Sequence, residues 1–364
     1  MKPTVSETNV RIRGRSATVV AGGLTAVLAL AACGSGSGGA GSSGSGSSGS
    51  GSGGDATTLT LYNAQHEDLM KLMVAGFTKK TGIKVNMRNG EDFELANQIV
   101  QEGKASPADV FVTENSPAMT LVDGAKGFTK VDPAALNQVP SQFAPKDGNW
   151  VGFAARSTVL AYNKTQLKPA QLPASILDLA KPQWKGKVGI ASAGADFQAI
   201  VSAVVALEGE AKAAQWLKGL KENAKVYRGN NAVMQAVDKG EIQAGVIYHY
   251  YWYKDQAESG ENSNNTSLHY FGNKDPGAFL SISGAGVLAT SKHQQQAQQL
   301  VTFLNGPEGQ KILADSAAME YPIGKGATAN KALKPLTELD PPTVEVSALN
   351  GSKVVELMQQ AGLL

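Results

Sequence analysis

The chain has a single cysteine in 364 residues, so it can form no internal disulfide. Aromatic residues make up only 6% and charged residues 18%, and no block of like charge or basic stripe appears, which leaves nothing to recommend a nucleic-acid partner. A membrane helix needs about 20 apolar residues; the apolar stretch at 17–32 is too short and is broken by glycines. Residues 55–364 also lack the G-x-S-x-G elbow of the commonest α/β hydrolases and the phosphate-cradling G-x-x-x-x-G-K-[ST] loop. The pair His66-Glu67 does not open an H-E-x-x-H zinc motif, because Met70 stands where the second histidine is required. An exported hydrolase with paired carboxylates leaves no mark of its own in sequence and stays open as a minor alternative. Energy for transport, were this a transport component, has to come from a separate ATPase.

What is present begins with an address. Lys2, Arg11, Arg13 and Arg15 precede the apolar stretch 17–32, the pattern of a secretory signal over 1–33. It ends Leu30-Ala31-Ala32-Cys33, which resembles the bacterial lipobox, whose cysteine receives diacylglycerol; the resemblance implies a lipid-anchored protein on the outer face of the cytoplasmic membrane. Residues 34–54 are glycine and serine with one alanine and cannot bury apolar surface. They read as a tether with a reach of roughly 25 Å. Beyond it the charge is nearly balanced, 29 basic residues against 30 acidic.

The remaining length suits two domains. Hydrophobic spacing predicts strands at 57–62, 84–87, 108–113, 159–162, 187–190 and 244–248. Helices are expected at 67–81, 93–102, 196–208 and 212–222, with a further element at 235–239. Strands separated by helices imply an α/β body with parallel pairing, whose ligands lie beyond the carboxyl ends of the strands. Three strand ends carry chemistry: Gln65, His66 and Glu67 after the first, Glu114 after the third, and YHYYWYKD (248–255) after the last.

Phenol, carboxylate and imidazole are mostly hard donors, and the body has no thiol, so a small, highly charged cation suits the set. Two phenolates and one carboxylate balance the charge of Fe³⁺; a neutral imidazole makes a fourth ligand and leaves two positions for an anion or water. Successive residues on a strand face opposite ways, so Tyr250 and Tyr251 are expected in a turn between a strand ending near Tyr248 and a helix from Trp252. The bland alternative is that these aromatics only fill gaps between layers. His249 is expected to point away from the site, and His269 and His293 to face solvent.

The stretches LYNAQHE (61–67), FTKKTGIKV (77–85), SPADVFVTENSPA (106–118), RSTVLAYN (156–163), PQWKGKVGI (182–190), WLKGLKENAKVY (216–227), YYW (250–252), KDPGA (274–278) and EYPI (320–323) occur in order. Together they resemble the ferric-ion-binding proteins of bacterial iron ABC importers. The resemblance implies a bilobal, periplasmic-binding-protein-like α/β fold with lobes 55–155 plus 281–330 and 156–280 plus 331–364. It implies metal roles for His66, Glu114, Tyr250 and Tyr251. An accompanying anion, phosphate, carbonate or citrate, would be held near Arg156, Ser192, Gly194 and Asn230, although Asp196 places a carboxylate in that loop and leaves Asp196, Tyr248 or water as substitutes for it. The partners implied are an ABC permease and its ATPase, and the chain would be a monomeric binding protein rather than an enzyme. A receptor of the same fold for a small organic cation, of polyamine or thiamine type, is the alternative.

Overall fold

The computed structural model describes residues 57–364, so the signal, Cys33 and the tether lie outside the described residues. Ten strands form the framework: β1 Thr58–Asn63, β2 Lys84–Asn89, β3 Val110–Val112, β4 Val151–Asn163, β5 Val188–Ile190, β6 Ala224–Val226, β7 Ala244–Tyr248, β8 Thr266–His269, β9 Leu280–Val287 and β10 Tyr321–Pro322. Their order is β2-β1-β3-β9-β4-β7-β5-β6, with β8 and β10 also paired to β4. Only the flanks are parallel, as helix-separated strands must be: β1 with β2 and β3, and β5 with β6 and β7. The middle is antiparallel, a departure from the parallel pairing read from the helix–strand rhythm.

β4 makes that middle. Its first half pairs with β9 and β10 and its second half with β7 and β8, so the strand expected at 159–162 is the end of a thirteen-residue element, buried at every position. A separate hydrophobic core lies along each half. The first gathers Leu61, Phe77, Phe111, Trp150 and Leu300, and the second Leu160, Phe197, Trp216 and Val246. Each fully buried Phe such as Phe77 or Phe111 contributes about 1.5–3 kcal/mol. Leu333, Leu339 and Val346, from the segment assigned by sequence to the second lobe, pack in the first core instead.

The helix Glu67–Thr81 follows β1 directly, with acids in its first turn, lysines in its last and Gly82 at φ 75° closing it in the left-handed region. β7 runs straight into the helix His249–Glu258, three residues earlier than expected. Tyr250 and Tyr251 therefore sit inside its first turn and not in a preceding loop. Tyr248, extended at φ −89° and ψ 151°, is where the backbone changes direction. Among the described residues no helix is long and apolar enough to cross a membrane.

Candidate metal centre

His66 is the residue at which β1 gives way to a helix. Asn63 shapes the turn: its Nδ2 donates to the Gln65 carbonyl (2.8 Å), and its Oδ1 accepts from the Gln65 N–H (3.2 Å). Gln65 Oε1 then accepts from the His66 N–H at 2.6 Å. Glu114 follows β3, and its backbone N–H donates to Asp92 Oδ1 (2.8 Å), while the Asn115 N–H and Nδ2 donate to Asp92 Oδ2 (both 3.0 Å). Burial, followed by the Glu114 charge, holds the Asp92 carboxyl well above the usual range despite those bonds.

These loops bring their side chains to one place. Tyr250 Oη donates to Glu114 Oε1 at 3.0 Å, His66 Nε2 lies 3.6 Å from the same oxygen, and the His66 and Tyr250 rings meet edge to face at 5.0 Å. Tyr251 stacks on Tyr250 with centroids 4.1 Å apart. Its Oη donates to Asp196 Oδ2 at 3.0 Å. Adjacent residues of a helical first turn can thus aim two phenols the same way, which adjacent strand residues cannot. A pocket of about 380 Å³ opens over His66, Tyr250 and Tyr251, with Asn231, Gln235 and Lys254 among its walls.

Burial pushes the phenols of Tyr250 and Tyr251 well above their ordinary value, and the charges of Glu114 and Asp196 add to it. Both phenols are protonated and donate, to Glu114 and Asp196. Burial pushes the His66 imidazole down, but its hydrogen bond with Glu320 and the charge of Glu114 outweigh that and leave it raised. Among the described residues, no three His, Cys, Asp or Glu side chains are grouped to hold a metal, so a cation in this place depends on the phenols.

Each of the four candidate anion residues is bonded to other protein groups. Ser192 Oγ donates to the Leu363 carbonyl (2.7 Å), and the Gly194 N–H donates to the Ala191 carbonyl (3.0 Å) at the start of the helix Ala195–Glu208. Asn230 Nδ2 donates to Asp196 Oδ2 (2.8 Å), and Asn115 Nδ2 to Asp196 Oδ1 (3.0 Å). Asp196 therefore takes the helix start with its own carboxylate, where the helix dipole favours negative charge. Burial, then the Glu114 charge, pushes its pKa up to about 7. Arg156 is fully buried; Nη1 donates to Ser283 Oγ (3.1 Å) and Glu320 Oε2 (3.3 Å), whereas Nε and Nη2 have no partner among the described residues. Burial works against its charge, but Glu320 and Glu114 keep it protonated.

Glu320 carries no role in the sequence reading. It lies in EYPI, and nothing in its spacing distinguishes a buried carboxylate from a solvated one; in the structure it is 1% exposed and paired to both Arg156 and His66. His249 does point away from the pocket: it is buried, its Nδ1 accepts from the Ser157 N–H (3.1 Å), and its ring stacks on Tyr321 at 4.7 Å. His269 and His293 are half-buried rather than solvent-facing, bonded to the Pro173 carbonyl (2.9 Å) and Asp109 (3.2 Å).

Burial lowers His249 from 6.5 to about 3. The unfolded chain then binds that proton first, so stability present above pH 6.5 is lost as the pH falls towards 3. Asp196 works oppositely, since its folded pKa of about 7 lies above 3.8, and adds stability as the pH falls between those values. His249→Phe keeps the stacking ring and should cost about 1–3 kcal/mol at neutral pH by orphaning the Ser157 N–H, while flattening the His249 part of the acid loss. Denaturant unfolding of iron-free protein at several pH values checks this; parallel profiles for variant and wild type would contradict a neutral, buried His249.

Residues 105–343 match the family of bacterial extracellular solute-binding proteins. The chain is 58% identical over 306 residues to the Fe(3+)-binding periplasmic protein of Serratia marcescens, covering 84% of this chain and 90% of that one. It is 36% identical over 308 residues to the major ferric iron-binding protein of Neisseria meningitidis, covering 84% and 93%. Iron-bound HitA from Pseudomonas aeruginosa superposes with a TM-score of 0.79 at 43% identity, covering 84% of this chain and 99% of that one. Trichodesmium IdiA (FutA) in complex with iron and citrate superposes with a TM-score of 0.75 at 28% identity and the same coverage.

Proposed function

The chain belongs to the bacterial extracellular solute-binding proteins, within their ferric-ion-binding branch, and from that premise we propose that it captures Fe³⁺ outside the cytoplasm and passes it to an ABC permease and its ATPase for iron uptake. The reading rests above all on one observation: Glu114 Oε1 is approached by Tyr250 Oη at 3.0 Å and His66 Nε2 at 3.6 Å, three hard donors from three separate strand ends. Tyr250, Tyr251 and Glu114 supply the three negative charges that neutralise the ion once the phenols lose their protons, and His66 supplies the nitrogen. A bound cation lowers the acidity threshold of its ligands enough for that loss.

Phosphate, carbonate or citrate accompanying the ion reaches it from the open side of the pocket, near Lys254, Asn231 and Gln235, because Asp196 already engages Asn230 and Tyr251 at the helix start. An organic cation fits less well, because the faces of Tyr250 and Tyr251 close on each other with centroids 4.1 Å apart. In this reading the lobe of 55–155 and 281–330, with Leu333, Leu339 and Val346 in its core, and the lobe of 156–280 with the helix Gly351–Gln360 close over the ion, since donors from both favour the closed state by their differential affinity.

Titration of iron-free protein with ferric citrate tests the assignment. A visible phenolate-to-iron band growing to one ion per chain is expected; a colourless protein with unchanged thermal stability would reject it. Cys33, by this proposal, carries the lipid anchor to the outer face of the cytoplasmic membrane. Cys33→Ser should move the protein from the detergent phase to the aqueous phase on partitioning of whole cells, and equal partitioning of both forms would remove the anchor.

A further inference from the structure

Glu320, on the loop entering β10, is buried beneath the candidate centre and receives three donors. Oε1 lies 3.0 Å from His66 Nδ1; Oε2 accepts from Gln65 Nε2 at 3.2 Å and from Arg156 Nη1 at 3.3 Å. An ionised carboxylate only accepts hydrogen bonds, so a neutral His66 must carry its proton on Nδ1. The lone pair then belongs to Nε2, the nitrogen that faces Glu114 Oε1 at 3.6 Å. Gln65 closes the arrangement from the other side, donating to Glu320 and accepting from the His66 backbone N–H.

We infer that Glu320 is a positioning residue for the metal, selecting the His66 tautomer whose Nε2 faces the ion and making that nitrogen the better donor. The role rests on the ferric reading above. Carboxylates behind metal-bound histidines act in this way generally, and losing one costs about 10–100-fold in affinity. A mere counter-ion for Arg156 would need only Oε2. The placement of Oε1 on Nδ1, across 254 residues of sequence, is what a counter-ion leaves unexplained.

Glu320→Gln in the mature full-length chain retains volume and an acceptor and removes the charge. Ferric affinity should fall about 10–100-fold while the visible band persists, because both phenols remain. In a His66→Ala background the same substitution should cost almost nothing further; additive losses would show that Glu320 acts through Arg156 alone and overturn the inference. An arm independent of iron, and of any variant, uses ¹⁵N-histidine NMR of the metal-free wild type at alkaline pH. The His66 proton is expected on Nδ1, and a proton on Nε2 overturns the inference. If the wild type takes up no iron, the ferric reading fails, and the tautomer still decides the His66–Glu320 coupling.

Discussion

Tyr250→Phe and Tyr251→Phe should each weaken ferric binding by more than the ~100-fold that marks the upper end for a supporting group, and the double variant should be colourless. The rings stay, so the stack at 4.1 Å and the packing of a side chain only 1% exposed are conserved. What is lost is an anionic oxygen, and among the described residues no group of three or more His, Cys, Asp or Glu stands elsewhere to take the ion. The two variants differ in their iron-free cost. Tyr250→Phe takes one donor from Glu114, which keeps His66 and Arg156 each 3.6 Å away. Tyr251→Phe leaves Asp196 with its two asparagine donors. Absorbance titration, with circular dichroism to confirm folding, checks both; a double variant that still develops the band with ferric ion would end the iron assignment.

Acid should discharge the metal steeply. Burial holds both phenols protonated in the iron-free protein, so binding one ion releases two protons, and apparent affinity should fall about 100-fold for each pH unit lost. Two further groups steepen the fall. Asp196 takes up its proton as the pH drops through about 7, and the raised His66 imidazole loses its lone pair when protonated. Competition with a chelator of known affinity across a pH series measures the slope. A slope near zero would mean that the phenols do not ligate.

Much of this site is legible in the sequence because its donors follow short, conventional units. The helix Glu67–Thr81 is announced by acids at one end, lysines at the other and a glycine stop, so His66 could be placed at a helix start. The centre of the sheet is not legible. β9 reads LSISGAGV, which looks like a loop, yet Gly284 and Gly286 are strand residues: a Cβ on them would come within 2.5 Å of Met119 and 2.6 Å of Phe128. Neighbouring bulk, invisible in a local window, sets those positions. Glu320 was missed for a related reason, as its partners His66 and Arg156 lie far away along the chain. The early helix start at His249 escaped because aromatic residues are indifferent helix formers, and packing against β4 decides the matter.

The thirteen-residue length of β4, whose pairing with β9 is irregular only between Gly152 and Ala154, makes the molecule sensitive to one kind of genetic change. Side chains along the regular part of a strand alternate, so one residue gained or lost after Ala154, beyond that irregularity, reverses the face met by everything that follows. A single-residue gain ahead of Arg156 would turn its guanidinium from Glu320 towards the opposite layer and shift the pairing of Thr158–Tyr162 with the strand that delivers the tyrosines. A change in the length of β4 strikes the cores along its two halves and the side chains beneath the pocket together.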